Sequence, residues 1–129
     1  MNKEDYIEYW KSTAEIDRVV IQHLFKSKDY MQALFFAHLV LEKLSKAHWV
    51  KDHDSNHPPR IHNLVALIDS TLLDPDENQR AFLEKMNTFQ LEGRYPDYRM
   101  QLYKMCDKKF TEEILKQAET LRIWLLNNL

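Results

Sequence analysis

The chain has 129 residues, with 18 lysines and arginines against 20 aspartates and glutamates, and a formal net charge of −2 at pH 7. This length fits one domain over residues 1–129, and the slightly negative charge argues against nonspecific nucleic-acid binding through an overall positive field. One glycine and four prolines are too few turn residues for an all-β fold, and a single cysteine excludes an intramolecular disulfide.

Two long helices are predicted in the N-terminal part of the chain. Apolar residues recur at helical spacing from Ile7 to Leu24, which predicts a first helix over residues 3–25. After a polar break, Asp29 and Gln32 match a capping box that opens a second helix, extending to about residue 51. Residues 30–37 are apolar on nearly every side, which predicts a central helix that contacts others on more than one side.

Shorter elements are predicted in the middle of the chain. Residues 52–60 contain two prolines and little to bury, so they form an exposed loop, and a short helix follows over residues 62–72. Asp74, Pro75 and Glu77 are typical of a helix start, with the aspartate as the cap and the proline in the first turn. This fourth helix is predicted to end near residue 92.

The C-terminal part is predicted to end in a long helix. Gly93 and Pro96 indicate a helix exit, because glycine tolerates positive φ and proline restricts the residue before it. Residues 98–109 form a short irregular helix, and Phe110 with Thr111 begins the last helix, which has an apolar stripe ending at Leu125. The predicted fold class is all-α, an up-and-down antiparallel bundle of four to five helices.

The sequence also predicts where the protein resides. No apolar run approaches the roughly 20 residues of a membrane span, and the acidic first residues do not resemble a signal peptide. A lone cysteine suits a reducing compartment. We therefore expect a cytoplasmic protein without a membrane partner.

Residues 94–99 combine two arginines and two tyrosines around a proline. An arginine offers forked donors to phosphate, and a tyrosine ring can stack on a base, so this composition suits a nucleotide or an RNA strand. The alternative is a stiff loop held by Arg–Asp pairs.

The second helix carries a polar stripe, because His38, Glu42 and Lys46 recur every four residues, with Lys43 beside them. Such a stripe can line a cleft. The alternative is a solvated face on which the Glu42–Lys46 pair contributes only about 0.2–0.5 kcal/mol.

Six histidines do not predict a metal site, because their spacing lacks a metal-binding motif and no cluster of acids or thiols accompanies them. A glycine-rich phosphate loop is impossible with one glycine, and no serine or cysteine stands beside a recognisable base. We therefore predict no metal and no cofactor.

Three stretches together resemble the HEPN domain family: residues 30–47, residues 62–67 and residues 94–97. The most specific parts are Glu42-Lys43 with Lys46-Ala47 in an aromatic and alanine-rich helix, and the Arg-Tyr-Pro-Asp element that begins at Arg94. The resemblance covers nearly the whole chain. It implies a helical bundle that forms a homodimer, with the second helix or its neighbour at the interface.

Many HEPN domains are metal-independent ribonucleases or toxins, including toxins of toxin–antitoxin pairs. Their site is an arginine followed about four to six residues later by a histidine. Neither Arg94 nor Arg99 has a histidine at that distance. Arg18 and His23 match formally but lie on the first helix, roughly 140° apart around its axis, so we assign them no chemistry.

The resemblance then implies the family's other role, binding of a nucleotide or RNA, with a nucleotidyltransferase as a possible partner chain. The side chains assigned to nucleotide binding are Arg94, Arg99, Tyr95, Lys43 and Lys46. Those assigned to support them are Glu42, Asp97 and His62.

The leading hypothesis is a dimeric binding or partner module without catalysis of its own. One alternative is an endoribonuclease or toxin with a nonstandard site drawn from Arg94, Arg99 and His62. The other is a purely structural subunit that recruits a partner chain.

Overall fold

Helices and short connections account for the whole chain in the computed structural model, which describes residues 1–129. The six α-helices are α1 (Lys3–Lys26), α2 (Tyr30–Asp52), α3 (Leu64–Asp69), α4 (Glu77–Met86), α5 (Pro96–Met105) and α6 (Lys108–Asn127). A 3-10 turn, Asn87–Phe89, follows α4 directly. The predicted all-α bundle is confirmed. None of these helices combines the length and the apolarity needed to cross a membrane.

Helix α2 is the centre of the bundle, as its apolar composition predicts. It contacts α1, α3, α5, α6 and the 3-10 turn, and it is buried along most of its length. Leu34, Leu41 and Leu44 lie fully inside the core. Burying a leucine of this kind stabilises the fold by about 1.5–3 kcal/mol relative to leaving it in water.

The other long helices pack on α2 through one face each. Helix α6 buries Ile114, Leu121 and Leu125, which belong to the predicted apolar stripe. Helix α1 buries Ala14 and exposes several charged residues, such as Glu4, Glu8 and Glu15, on its outer side. An amphipathic helix of this kind is stabilised mainly by packing its apolar face, so the stripes decide which side faces α2.

Helix α2 begins directly after Asp29, as predicted, but without the predicted capping box, and the predicted cap of α4 is wrong. The side chain of Asp29 makes no capping hydrogen bond at the start of α2. The cap of α4 is Asp76, not Asp74, because the Asp76 carboxylate accepts from Gln79 N at 2.7 Å while the Gln79 side chain accepts from Asp76 N at 2.9 Å. This reciprocal pair satisfies two otherwise free backbone donors, which a cap two residues earlier does not do.

The C-terminal boundaries also differ from the prediction. Helix α4 ends at Met86 and not near residue 92, because the chain tightens into the 3-10 turn. Helix α6 begins before Thr111, since Asp107 caps it by accepting from Phe110 N at 2.8 Å. Pro96 opens α5 instead of ending a helix, which suits proline because the first helical residue needs no backbone N–H.

Gly93 supplies the turn between the 3-10 segment and α5. Its φ is +77°, a left-handed conformation that other residues adopt only with strain. The turn brings the residues around position 92 back toward α2 and the loop before α3.

Candidate functional site

The buried carboxylate of Glu42 on α2 organises the polar part of the molecule. Glu42 is only 4 % exposed. Its Oε2 lies 3.0 Å from Lys46 Nζ, one helical turn along α2, and its Oε1 lies 3.0 Å from Nδ1 of His62. A buried charge is tolerated only when it is paired and hydrogen-bonded, and these two partners meet that need.

His62 connects this carboxylate to the turn after α4. Its Nδ1 faces Glu42 at 3.0 Å, and its Nε2 faces Oε2 of Glu92 at 3.2 Å. The contact with Glu42 is a hydrogen bond, whereas the largely exposed Glu92 lies near Nε2 without making a hydrogen bond to it. The ribonuclease alternative draws on His62 with Arg94 and Arg99, whereas the structure joins His62 to the two glutamates.

His38 occupies the interior and not a cleft. Its ring is fully buried, and neither ring nitrogen has a hydrogen-bond partner in the chain. Burial lowers the pKa of His38 because the charged form loses its water, while Glu42, 3.7 Å from Nδ1, opposes that shift. The alternative of a solvated stripe is therefore wrong, since His38 and Glu42 are buried and Lys46 is only 7 % exposed.

Lys43 lies apart from the Glu42 cluster. Its Nζ is 2.6 Å from Oδ2 of Asp17 on α1, and both side chains are partly buried. This pair joins α1 to α2. The neighbouring Lys46 is within 5.5 Å of the Trp10 ring centre, so α1 also covers the cluster with an aromatic face.

Arg94 holds the turn after α4 together. Its Nε donates to the carbonyl of Gln90 at 2.8 Å, and its Nη2 donates to the carbonyls of Asn87 and Thr88 at 3.1 and 3.3 Å. The guanidinium also lies 4.5 Å above the Tyr98 ring. The Asn87 carbonyl also accepts from the backbone N–H of Gln90, and Arg94 adds its hydrogen bonds where the chain leaves the helix. The alternative of a stiff loop is thus correct in that Arg94 holds the turn, but no arginine pairs with Asp97.

The outer surface of this segment is more open. Arg99 donates from Nη2 to the carbonyl of Leu91 at 2.8 Å, which leaves its other donors free. Tyr95, the N-cap of α5, is 82 % exposed. Asp97 lies in the first turn of α5, where a negative charge is favourable next to the helix dipole.

Sequence reasoning missed a second exposed tyrosine on α5. Tyr103 is 59 % exposed and follows Arg99 by four residues, as Arg99 follows Tyr95. Residues with this spacing share one side of a helix. The four-residue spacing is visible in the sequence. It indicates a shared helix face only once α5 is known to begin at Pro96.

The structure therefore brings some predicted site residues together and separates others. Glu42, Lys46 and His62 form one cluster, and Glu92 links that cluster to the segment that holds Arg94. Lys43 is paired elsewhere. No group of histidine, cysteine, aspartate or glutamate side chains is placed to hold a metal ion.

Arg94→Ala is expected to lower the free energy of unfolding by about 1–3 kcal/mol, since it removes the side-chain hydrogen bonds to the carbonyls of Gln90, Asn87 and Thr88. Arg99→Ala removes one such bond and should cost less. Urea unfolding followed by circular dichroism measures both. Equal stability of Arg94→Ala and the wild type would show that water replaces these bonds at no cost.

The pH dependence of the free energy of unfolding should reflect the lowered pKa values of the buried histidines. Burial lowers the folded-state pKa of His38 and of His48 below the ordinary 6.5, so the unfolded chain takes up protons first as the pH falls. The free energy of unfolding is then unaffected above the unfolded pKa and declines as the pH drops below it toward the folded values.

Urea midpoints between about pH 7.5 and pH 5.5 test this, because ordinary carboxylates titrate mainly below that range. His38→Leu should flatten the decline, whereas His23→Leu, at an exposed position on α1, serves as the control. A steeper decline in His38→Leu than in the wild type would contradict the assignment.

Comparison with known proteins places the chain in one family. The model of the HEPN domain matches residues 7–129. Comparisons with curated proteins and with solved structures give no significant match. The match covers nearly the whole chain, and the all-helical structure agrees with it. The protein belongs to the HEPN domain family.

Proposed function

We propose that this HEPN domain binds a nucleotide or single-stranded RNA and acts as a dimeric binding or partner module without catalysis of its own. The observation that carries the proposal is the exposed ring of Tyr95 beside the incompletely bonded guanidinium of Arg99. A tyrosine ring left in water contributes little to the core. Stacking a base on such a ring is worth about 1–3 kcal/mol, so a ligand gains from this arrangement.

Helix α5 extends this surface to a second exposed tyrosine, Tyr103. Tyr95 caps the start of the helix, and Arg99 and Tyr103 follow it at intervals of four residues. At 1.5 Å per residue, the two tyrosines are about 12 Å apart along the axis. A cation between two exposed rings matches a strand whose backbone carries phosphates and whose bases can stack on either side.

Arg94 and Arg99 have different roles in this proposal. Arg94 uses Nε and Nη2 inside the turn and keeps Nη1, whereas Arg99 keeps most of its donors. Arg99 is then the main phosphate donor, and Arg94 fixes the segment and adds charge. Lys43 and Lys46 are engaged with Asp17 and Glu42 and supply weaker, supplementary charge.

Glu42, His62 and Asp97 act as supporting residues. The Glu42–His62–Glu92 connection holds the turn at a defined distance from α2. A fixed turn binds more tightly than a mobile one, because less conformational entropy is lost when the ligand arrives.

The dimer is proposed to form through the outer face of α1. The resemblance implies an interface at the second helix or its neighbour. Helix α2 is largely buried by contacts within the chain, which leaves its neighbour for the interface. Its neighbour α1 exposes Tyr9, Ile16 and Val19, which share one side of the helix. A second copy that packs on this face buries apolar surface on both chains. A nucleotidyltransferase-type partner chain is the other protein partner proposed.

A thermal-shift titration tests ligand binding. The ligands are ATP, GTP, NAD and a short single-stranded RNA, each at low and at moderate salt. We expect a concentration-dependent rise in Tm for at least one ligand that weakens as salt increases, because phosphate contacts release counterions. Tyr95→Ala and Arg99→Gln should both remove the rise. The ligand-free Tm should stay nearly unchanged in Tyr95→Ala and fall slightly in Arg99→Gln, which loses the hydrogen bond to Leu91.

Arg80→Gln is the matched control, since Arg80 is an equally surface-exposed arginine that pairs with Asp69 away from α5. Gel analysis of the RNA after incubation separates binding from cleavage. A blank screen, or equal losses in Arg80→Gln, would remove the proposal, and cleaved RNA would replace it with the endoribonuclease alternative.

Light scattering after size exclusion tests the dimer. The wild type should have twice the mass of one chain, and Ile16→Glu should weaken association by about tenfold or more, because it places charge in an apolar interface. Leu72→Glu, at an exposed leucine in a loop, is the control and should stay dimeric. A wild type that is monomeric at every concentration would refute the dimer.

A further inference from the structure

A groove lies over the central helix, between the second half of α1 and the middle of α6. Both flanking helices pack on α2 and make few contacts with each other, which leaves space between them. The groove has a volume of about 580 Å³, which is within the range of small-molecule sites. None of its residues belongs to the α5 surface or to the site assigned from the sequence.

The interior of the groove is apolar. Its apolar lining residues come from all three helices and are Ile21, Phe25, Ala37, Val40, Leu41, Leu115 and Ala118. Those contributed by α2 are buried, so the deepest part offers only hydrocarbon. A ligand that placed hydrogen-bonding groups there would lose its bonds to water without regaining them. The part of the ligand inside the groove is therefore a hydrocarbon.

Two alanines keep the groove open. Ala37 of α2 and Ala118 of α6 both line it, and each ends in a methyl group. Elsewhere the same two helices fill the core with larger side chains such as Leu34 and Leu121. Because protein interiors are closely packed, space left by small residues on two helices offers contacts that a bound chain can complete.

An ion-pair network closes one end of the groove. Arg122 of α6 donates to Glu119 at 2.9 and 2.6 Å, and it lies 3.9 Å from Glu15 of α1. Glu15 in turn accepts from Arg18 at 2.8 and 2.6 Å. These four charges neutralise one another. Glu119 is the only acid that lines the groove, and its charge is therefore already balanced.

The other end of the groove carries an unpaired cation. Lys26 lies in the last turn of α1, is exposed, and makes neither an ion pair nor a side-chain hydrogen bond. At 1.5 Å per residue, it is about 12 Å from Arg18 along the helix axis. The groove thus combines a long hydrocarbon interior with one free positive charge at its mouth.

We propose that this groove binds the anion of a straight-chain fatty acid, with the hydrocarbon along Ala37 and Ala118 and the carboxylate at Lys26. The apolar interior accommodates the chain, and the one unpaired cation complements the single negative charge. A nucleotide does not suit the groove, because its base and sugar would place polar groups against hydrocarbon. The proposal goes beyond the proposed function and does not depend on it, since no residue of α5 lines the groove.

Isothermal titration calorimetry with hexanoate, octanoate and decanoate, each below its micelle concentration, tests the hydrocarbon part. We expect one ligand per chain and an affinity that rises about fourfold for each added methylene, because each methylene leaves water on binding. Octanol and octylammonium test the charge. Octanoate should bind about fivefold more tightly than octanol, and octylammonium more weakly than either, since Lys26 attracts an anion and repels a cation.

Two variants place the ligand in the groove. Lys26→Gln should weaken octanoate to the level of octanol and leave octanol unchanged, whereas Lys109→Gln, at an exposed lysine of α6 outside the groove, is the matched control. Ala118→Leu should fill the groove and weaken decanoate at least about tenfold. Nonspecific binding to apolar surface predicts the opposite, because Ala118→Leu adds apolar surface. Circular dichroism confirms that each variant folds.

Equal affinity of the wild type for octanoate and octanol, or wild-type affinity of Ala118→Leu for decanoate, overturns the proposal. Absence of decanoate binding at millimolar concentration also overturns it. Tyr95→Ala and Arg99→Gln should bind decanoate as the wild type does, so the two proposals fail separately. A positive RNA titration without decanoate binding removes only the groove. Decanoate binding that depends on Lys26 beside a blank RNA titration supports the groove and removes the α5 surface.

Discussion

The burial of one carboxylate on the central helix is the constraint on which the polar architecture depends. Glu42 lies in an otherwise apolar helix, and an unpaired charge there would cost several kcal/mol. Lys46 satisfies it within the helix, and His62 satisfies it from the loop before α3. His62 also lies near the largely exposed Glu92, so it adds a weak contact between the loop before α3 and the turn after α4.

Arg94 stabilises a different part of the molecule, the turn after α4. A helix that stops abruptly leaves carbonyls without donors, and α4 stops in a 3-10 turn that must reverse toward α5. One guanidinium donates to three backbone carbonyls of this turn and stacks on Tyr98. The residue that resembles a ligand-binding arginine in the sequence therefore also maintains the shape of the surface on which Tyr95 and Arg99 are displayed.

Helical periodicity predicted the fold because apolar stripes in long helices specify which face is buried. The central position of α2 followed from residues 30–37, which are apolar on nearly every side. Helix ends were harder to predict, since Asp74 and Asp76 are equally good caps by type and only the reciprocal bond with Gln79 decides between them. The Glu42–Lys46 spacing is the same in an exposed pair and a buried one. Its burial depends on His62 and on the cover from α1, and these long-range contacts leave no local pattern.

Lys3 Nζ donates to the carbonyls of Val50 and His53 and to Oδ1 of Asn56, and so links parts of the chain that are about fifty residues apart in sequence. Its ammonium group has three donors, and all three are used on the end of α2 and the loop beyond it. The first turn of α1 and residues 53–56 consequently open as one cooperative unit, so fraying at the N-terminus and disorder in that loop are a single local unfolding event. The edge-on contact between the rings of Tyr6 on α1 and His57 in that loop, with centres 5.3 Å apart, is lost when that unit opens.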